Sequence, residues 1–163
     1  MTLWGTLAGG LVGTVVLTSG LRVAQEIGMT RMDLPLLLGT AFTDNRSHAN
    51  VIGYAVHFVN GLIFALLYYA VFRAVDHAGW LIGLALGAVH AMFAGGALLG
   101  VLLPAVHPRM GTPWSDSEET PLLEPPGFLL ENYGPRTAIG NLIGHLLYGA
   151  IVGGFAGHLT RLF

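Results

Sequence analysis

The chain has 163 residues, of which 53% are hydrophobic and 10% are charged, and its mean hydropathy is +0.66. A soluble domain carries roughly 25% charged residues, so seven basic and nine acidic residues are too few to cover a water-exposed surface. The chain has no cysteine and all seven basic residues are arginine, which excludes disulfides, thiolate metal sites and lysine Schiff bases. A net charge of −2 offers no basic surface for nucleic acid. The composition therefore indicates an integral membrane protein.

Four stretches are long and apolar enough to cross a bilayer. A spanning helix needs about 20 mostly apolar residues, and none of these stretches contains a charged residue. They cover residues 3–21, 51–72, 78–106 and 137–160. We therefore predict an all-α polytopic membrane protein in which four transmembrane helices form a bundle within the lipid bilayer.

Two long connections lie on one face of the predicted bundle. The first contains an apolar segment at residues 34–43 that is too short to span and is predicted to be interfacial or re-entrant. The second, residues 107–136, contains two adjacent prolines and is predicted to cap the helix ends. Five arginines flank or lie in these connections and favour a cytoplasmic location for them, although the excess disappears when it is counted per loop residue. They are Arg22, Arg31, Arg46, Arg109 and Arg136.

Glycine recurs at every fourth position in three of the predicted spans. The triplets are Gly5, Gly9 and Gly13, then Gly79, Gly83 and Gly87, and finally Gly149, Gly153 and Gly157. This GxxxG-type spacing lets helix backbones approach closely in lipid, where dispersion contacts replace the hydrophobic driving force. It indicates tight packing within the bundle. The alternative is a surface for self-association or for docking onto a larger membrane complex.

The two halves of the chain share features in the same order. Each half has a span, a connection with an Arg-Met pair, and a second span with a histidine. The matching pieces are Thr30-Arg-Met32 and Pro108-Arg-Met110, and Ile52-Gly53 with His57 and Ile139-Gly140 with His145. Both halves run in the same direction, so the pattern predicts a 2+2 parallel internal repeat.

Three histidines, His57, His90 and His145, fall inside three different spans. An ionisable side chain at that depth is costly and is a candidate functional group. At about 1.5 Å per residue, His57 and His145 lie roughly 9 and 12 Å from corresponding helix ends, so the repeat would place them opposite each other. His90 is deeper and would be a third ligand or a hydrogen-bond partner. The helical neighbours that could orient the imidazoles are Asn60, Asn141 and Tyr148.

Three interpretations of these histidines stay open. In the first, the imidazoles are neutral structural groups that hydrogen-bond between helices. They could instead bind zinc, copper or iron, or ligate a b-type haem from two sides. They could also form a path for protons or ions.

A second polar cluster is predicted where the two long connections begin. His107, Asp33, Met32 and Met110 could extend a metal site or load copper. The alternative is an interfacial anchor in which arginines meet lipid headgroups.

Four motifs carry a resemblance that covers most of the chain. They are Gly28-Met-Thr-Arg-Met-Asp-Leu-Pro35, His57-Phe-Val-Asn-Gly61, His107-Pro-Arg-Met110 and Glu124-Pro-Pro-Gly127. In these motifs the chain resembles small four-span bacterial membrane proteins to which no activity is assigned. The resemblance implies a bacterial inner-membrane protein and no catalytic residue.

The leading functional hypothesis is a membrane protein whose intramembrane histidines bind a transition metal or haem. The alternatives are a small transporter or channel that uses the same histidines, and an accessory subunit of a larger complex. An enzyme is not favoured, because a metal-dependent hydrolase needs a carboxylate near the metal. The candidate carboxylates, Asp33, Glu124 and Glu131, lie in loops.

Overall fold

The computed structural model describes residues 1–111 and 122–158 and is 78% helix. The described residues contain no β-strand. Part of the predicted capping connection, residues 112–121, and the end of the fourth predicted span lie outside the described residues. The chain divides into two compact units. Unit 1 comprises Met1–Leu21, Phe58–Ala91 and Leu142–Phe163, and unit 2 comprises Arg22–His57 and Met92–Asn141.

Apart from a short 3₁₀ segment, the described residues form five helices that follow one another along the chain. They are α1 (Leu3–Glu26), α2 (Leu34–Gly39), α3 (Arg46–Ala74), α4 (Trp80–Val106) and α5 (Pro135–His158). All except α2 are long and apolar enough to cross a membrane, which confirms the prediction of four candidate spans. The fold is thus that of a multi-pass membrane protein. The internal repeat stays a prediction.

Helices α1 and α3 extend several residues beyond the apolar segments that predicted them. Helix α1 continues to Glu26, whose carboxylate pairs with Arg22 one turn earlier at 3.0 Å. Helix α3 begins at Arg46 because the Asn45 side chain accepts a hydrogen bond from the backbone N–H of His48 and so caps the first turn. Polar contacts at the helix ends, which hydropathy does not register, accompany both extensions.

The predicted interfacial segment forms the short helix α2, which ends at Gly39 rather than at residue 43. Asp33 caps its first turn by accepting a hydrogen bond from the Leu36 N–H at 3.1 Å. The helix packs against α3 within unit 2. A side chain at Gly39 would collide with the backbone of Ala49, and one at Gly53 would collide with the backbone of Pro35.

Helix α4 changes its hydrogen-bond pattern in unit 2. Residues Phe93–Leu102 are π-helical, an uncommon form with bonds five residues apart instead of four. Its glycine side is covered by a 3₁₀ segment, Phe128–Tyr133, in which Leu129 and Leu130 have left-handed backbone angles (φ 51° and 67°). Leu130 is completely buried there. The predicted capping connection therefore contains a short helical segment packed on α4.

Unit 1 contains segments of all four candidate spans. One buried hydrophobic cluster of this unit comprises Tyr68, Phe72, Tyr148, Val152 and Ala156. Glycines bring the backbones of α4 and α5 together beside this cluster. The position of the candidate site follows from that approach.

Candidate functional site

The contact between α4 and α5 places two histidines together in unit 1. A side chain at Gly83 would collide with the carbonyl oxygen of Gly149, and one at Gly87 with the carbonyl oxygen of His145. His90 lies one turn after Gly87, and His145 lies one turn before Gly149. Because the two backbones touch here, side chains one turn away are close enough to meet.

The two imidazoles are in direct ring contact. The ring centroids of His90 and His145 are 4.4 Å apart, and their planes are inclined at 76°. The exposed fractions of the two residues are 7% and 8%. Sequence analysis singled out both residues, and the structure brings them together.

Three aromatic rings surround His90. Phe64 stacks on its face, with centroids 3.6 Å apart and an interplanar angle of 22°. Tyr68 and Tyr148 contact it edge-on, with centroids at 6.0 and 5.6 Å. We refer to these three aromatic residues together with His90 and His145 as the imidazole cluster.

The two tyrosine hydroxyls of the imidazole cluster have different partners. The Tyr68 hydroxyl oxygen lies 3.4 Å from His90 Nδ1. The Tyr148 hydroxyl donates a hydrogen bond to the carbonyl oxygen of Gly61 on α3. Tyr68 therefore lies within hydrogen-bond distance of an imidazole nitrogen, whereas Tyr148 holds α5 against α3.

The helices that carry the imidazole cluster have no charged residue near it. Residues 51–72, 80–106 and 137–157 contain no Asp, Glu, Lys or Arg. The polar atoms of the cluster are thus imidazole nitrogens and tyrosine hydroxyls in apolar surroundings. A neutral imidazole has one donor and one acceptor nitrogen, so it can accept a proton at one atom and release another.

The other residues predicted to form this site are distributed over both units. His57 is half-buried on α3 in unit 2, and Asn60 is half-buried in unit 1. Asn141 is buried in unit 2, where its amide packs on Gly95. The predicted pairing of His57 with His145 joins residues of different units and stays a prediction.

The geometry at His90 and His145 does not favour metal or haem. Within residues 1–111 and 122–158, no group of three or more His, Asp or Glu side chains could hold a metal ion. Two axial ligands of a haem must also leave space for iron and the porphyrin between them. His90 and His145, in ring contact at 4.4 Å, leave no such space between them. Haem ligation by His57 and His145 stays a prediction.

The second predicted cluster forms hydrogen bonds within unit 2. His107 is 3% exposed, and its Nε2 lies 3.0 Å from the carbonyl oxygen of Leu37. Its Nδ1 accepts a hydrogen bond from the backbone N–H of Arg109, also at 3.0 Å. This pattern defines the tautomer with the proton on Nε2. With Nε2 donating and Nδ1 accepting, neither nitrogen has a lone pair left for a metal.

The remaining members of that cluster are also placed by packing or capping. Asp33 caps α2, as described above, and Met32 and Met110 are buried, with exposed fractions of 3% and 0%. Arg109 donates through Nη1 to the carbonyl oxygen of Thr40 at 2.6 Å. Burial lowers the pKa of His107, and the Arg109 cation lowers it further, against the opposing effect of the hydrogen bond to Leu37.

Sequence analysis missed Phe64 and Tyr68. A signal was present, because Gly61, Phe64 and Tyr68 follow His57 at spacings of four, three and four residues. Residues at those spacings lie on one helix face. Aromatic residues on one helix face predict ring contacts with side chains of the helix that packs against that face.

Comparison with known proteins gives no family for this chain. No protein-family model matches it, and neither a curated protein nor a solved structure is significantly similar to it.

Proposed function

We propose that the protein moves protons within the membrane, as a small channel or proton-coupled transporter, and that His90 and His145 accept and release them. The observation that carries the proposal is the ring contact between two buried imidazoles from different candidate spans. Titratable residues inside membrane spans commonly belong to proton relays, and histidine is the side chain best suited to shuttle protons near neutral pH.

The surroundings of the pair support protons over metal ions. Tyr68 adds a third exchangeable proton next to His90. The residues that surround the pair are aromatic rings rather than the carboxylates that would complete a metal site. A purely structural role of the two histidines would require only fixed hydrogen bonds. Measured proton movement therefore distinguishes a relay from a structural role.

The proposal also includes the location of the protein in a bacterial inner membrane. Four candidate spans make this a multi-pass membrane protein, and the resemblance noted above points to a bacterial inner membrane. The raw number of arginines in and beside the long connections favours a cytoplasmic location for them, although the excess disappears per loop residue.

Purified protein reconstituted into liposomes with an internal pH dye tests the function. With a potassium gradient and valinomycin supplying the driving force, we expect the lumen to change pH faster than in protein-free liposomes. Rates equal to those of protein-free liposomes would contradict the proposal. Stoichiometric metal or a haem absorption band without proton flux would support metal binding instead.

Removing the Tyr68 hydroxyl should slow this flux. Tyr68→Phe keeps the ring next to His90 but loses the hydroxyl 3.4 Å from Nδ1. We expect flux to fall up to about tenfold, the effect of one hydrogen bond. Tyr148→Phe is the matched control, because its hydroxyl donates to Gly61 rather than to an imidazole. Equal losses in both variants would contradict a role for Tyr68 in proton exchange.

A further inference from the structure

We infer that His107 and Arg109 form a pH-sensitive latch that holds the start of the α4–α5 connection against the end of α2 and loosens on acidification. The latch lies within unit 2 and does not depend on the proposed proton flux. It uses a buried histidine whose two nitrogens have different, defined partners.

The latch acts on carbonyl groups at the end of a short helix. Helix α2 has six residues, and the last carbonyls of a helix have no partner within it. Leu37 receives the His107 Nε2–H bond, and Thr40, the residue that follows the helix, receives the Arg109 guanidinium. Two side chains two residues apart in the connection therefore hold the end of α2.

Protonation changes one of these bonds. The imidazolium ion has a proton on both nitrogens, so Nδ1 can no longer accept from the Arg109 N–H. The bond from Nε2–H to Leu37 can persist. Acidification therefore removes the contact that fixes the backbone between His107 and Arg109, and it brings two positive charges together.

The charges around His107 determine the direction of the effect. Helix α2, which faces it, has no ionisable side chain from Leu34 to Gly39, and Asp33 is occupied as the cap. Arg109 is the charged group that acts on His107. Burial and this cation both lower the pKa of His107 in the folded protein below its ordinary value of 6.5. The stability contributed by neutral His107 is therefore fully present above pH 6.5, and it is lost as pH falls through the lower, folded-state pKa.

Hydrogen exchange of the Arg109 amide in full-length protein in lipid nanodiscs tests the latch. After correction for intrinsic exchange, we expect protection at pH 7.5 and about tenfold less protection well below the folded-state pKa, as one hydrogen bond is lost. His107→Asn should abolish this change, because an Asn side chain can still accept from the N–H two residues on but does not titrate. His48→Asn, at an exposed histidine on α3, is the matched control and should retain the change.

A second variant keeps the test decisive if His107→Asn does not fold. Arg109→Gln removes the cation that disfavours protonation of His107 but keeps the backbone N–H. The pKa of His107 should therefore rise, and the loss of protection should begin at a higher pH than in the wild type. The inference would be overturned by equal protection at both pH values, by a pH dependence that persists in His107→Asn, or by an unshifted transition in Arg109→Gln.

Discussion

Gly149→Ala is expected to destabilise the packing of α4 against α5 by about 3 kcal/mol, the top of the usual range for overpacked sites. The added methyl group would collide with the carbonyl group of Gly83, and a methyl group at Gly83 would collide with Gly149 in the same way. The obstacle is backbone on both sides, so no side chain can rotate aside. In lipid such close contacts are a main source of helix association, and separating the helices would also part His90 from His145.

Gly154→Ala is the matched control for this prediction. Gly154 lies on the same helix, five residues further on, and nothing lies within 4 Å of the position that its methyl group would occupy. Alanine is favoured over glycine in a helix by up to about 1 kcal/mol, so this variant should be neutral or stabilising. Unfolding by sodium dodecyl sulfate, followed by circular dichroism, compares the two. If both variants unfold at the same detergent fraction, the close approach at Gly149 does not determine stability.

The number of candidate spans could be predicted from the sequence because it depends on a property summed over about 20 residues. The local features of the helices could not be predicted in this way. The cap at Asn45 and the ion pair of Arg22 with Glu26 extend helices through contacts that hydropathy does not register. The π-helical segment Phe93–Leu102 is apolar and rich in glycine, a composition equally compatible with an α-helix.

The imidazole cluster shows the same limit at the level of the site. Sequence analysis selected His90 and His145 by their depth, but it paired His145 with His57 on the basis of the repeat. The contact of His145 with His90 depends on how closely α4 and α5 approach, which is set by Gly83, Gly87 and Gly149. The glycine spacing was visible in the sequence, whereas the identity of the facing helix was not.

His107 illustrates a different limit. Its position next to Met110 and near the Asp33 segment indicated metal chemistry, because imidazole, thioether and carboxylate are all metal ligands. The structure uses both imidazole nitrogens in hydrogen bonds to backbone groups of Leu37 and Arg109. Residue types alone do not reveal whether a lone pair is already occupied.

Replacement of the two clustered histidines should have the largest effect on proton movement. His90→Gln and His145→Gln keep polar side chains of similar size but cannot take up a proton near neutral pH. Proton transfer by a positioned side chain contributes about 10²–10⁴-fold to a rate, so we expect each variant to lose at least about 100-fold in liposome flux. The double variant should lose no more flux than either single variant, because the two imidazoles are members of one proton relay.

A histidine outside the imidazole cluster provides the control for these variants. His48 is exposed at the start of α3, so His48→Gln should conduct like the wild type. Circular dichroism and detergent unfolding of each variant separate lost function from lost structure. Wild-type flux in a folded His90→Gln or His145→Gln protein would contradict the relay and leave the imidazoles a structural role. Losses that multiply in the double variant would show that the two imidazoles contribute to the rate independently, which contradicts a single relay, because removal of either member of a relay already interrupts it.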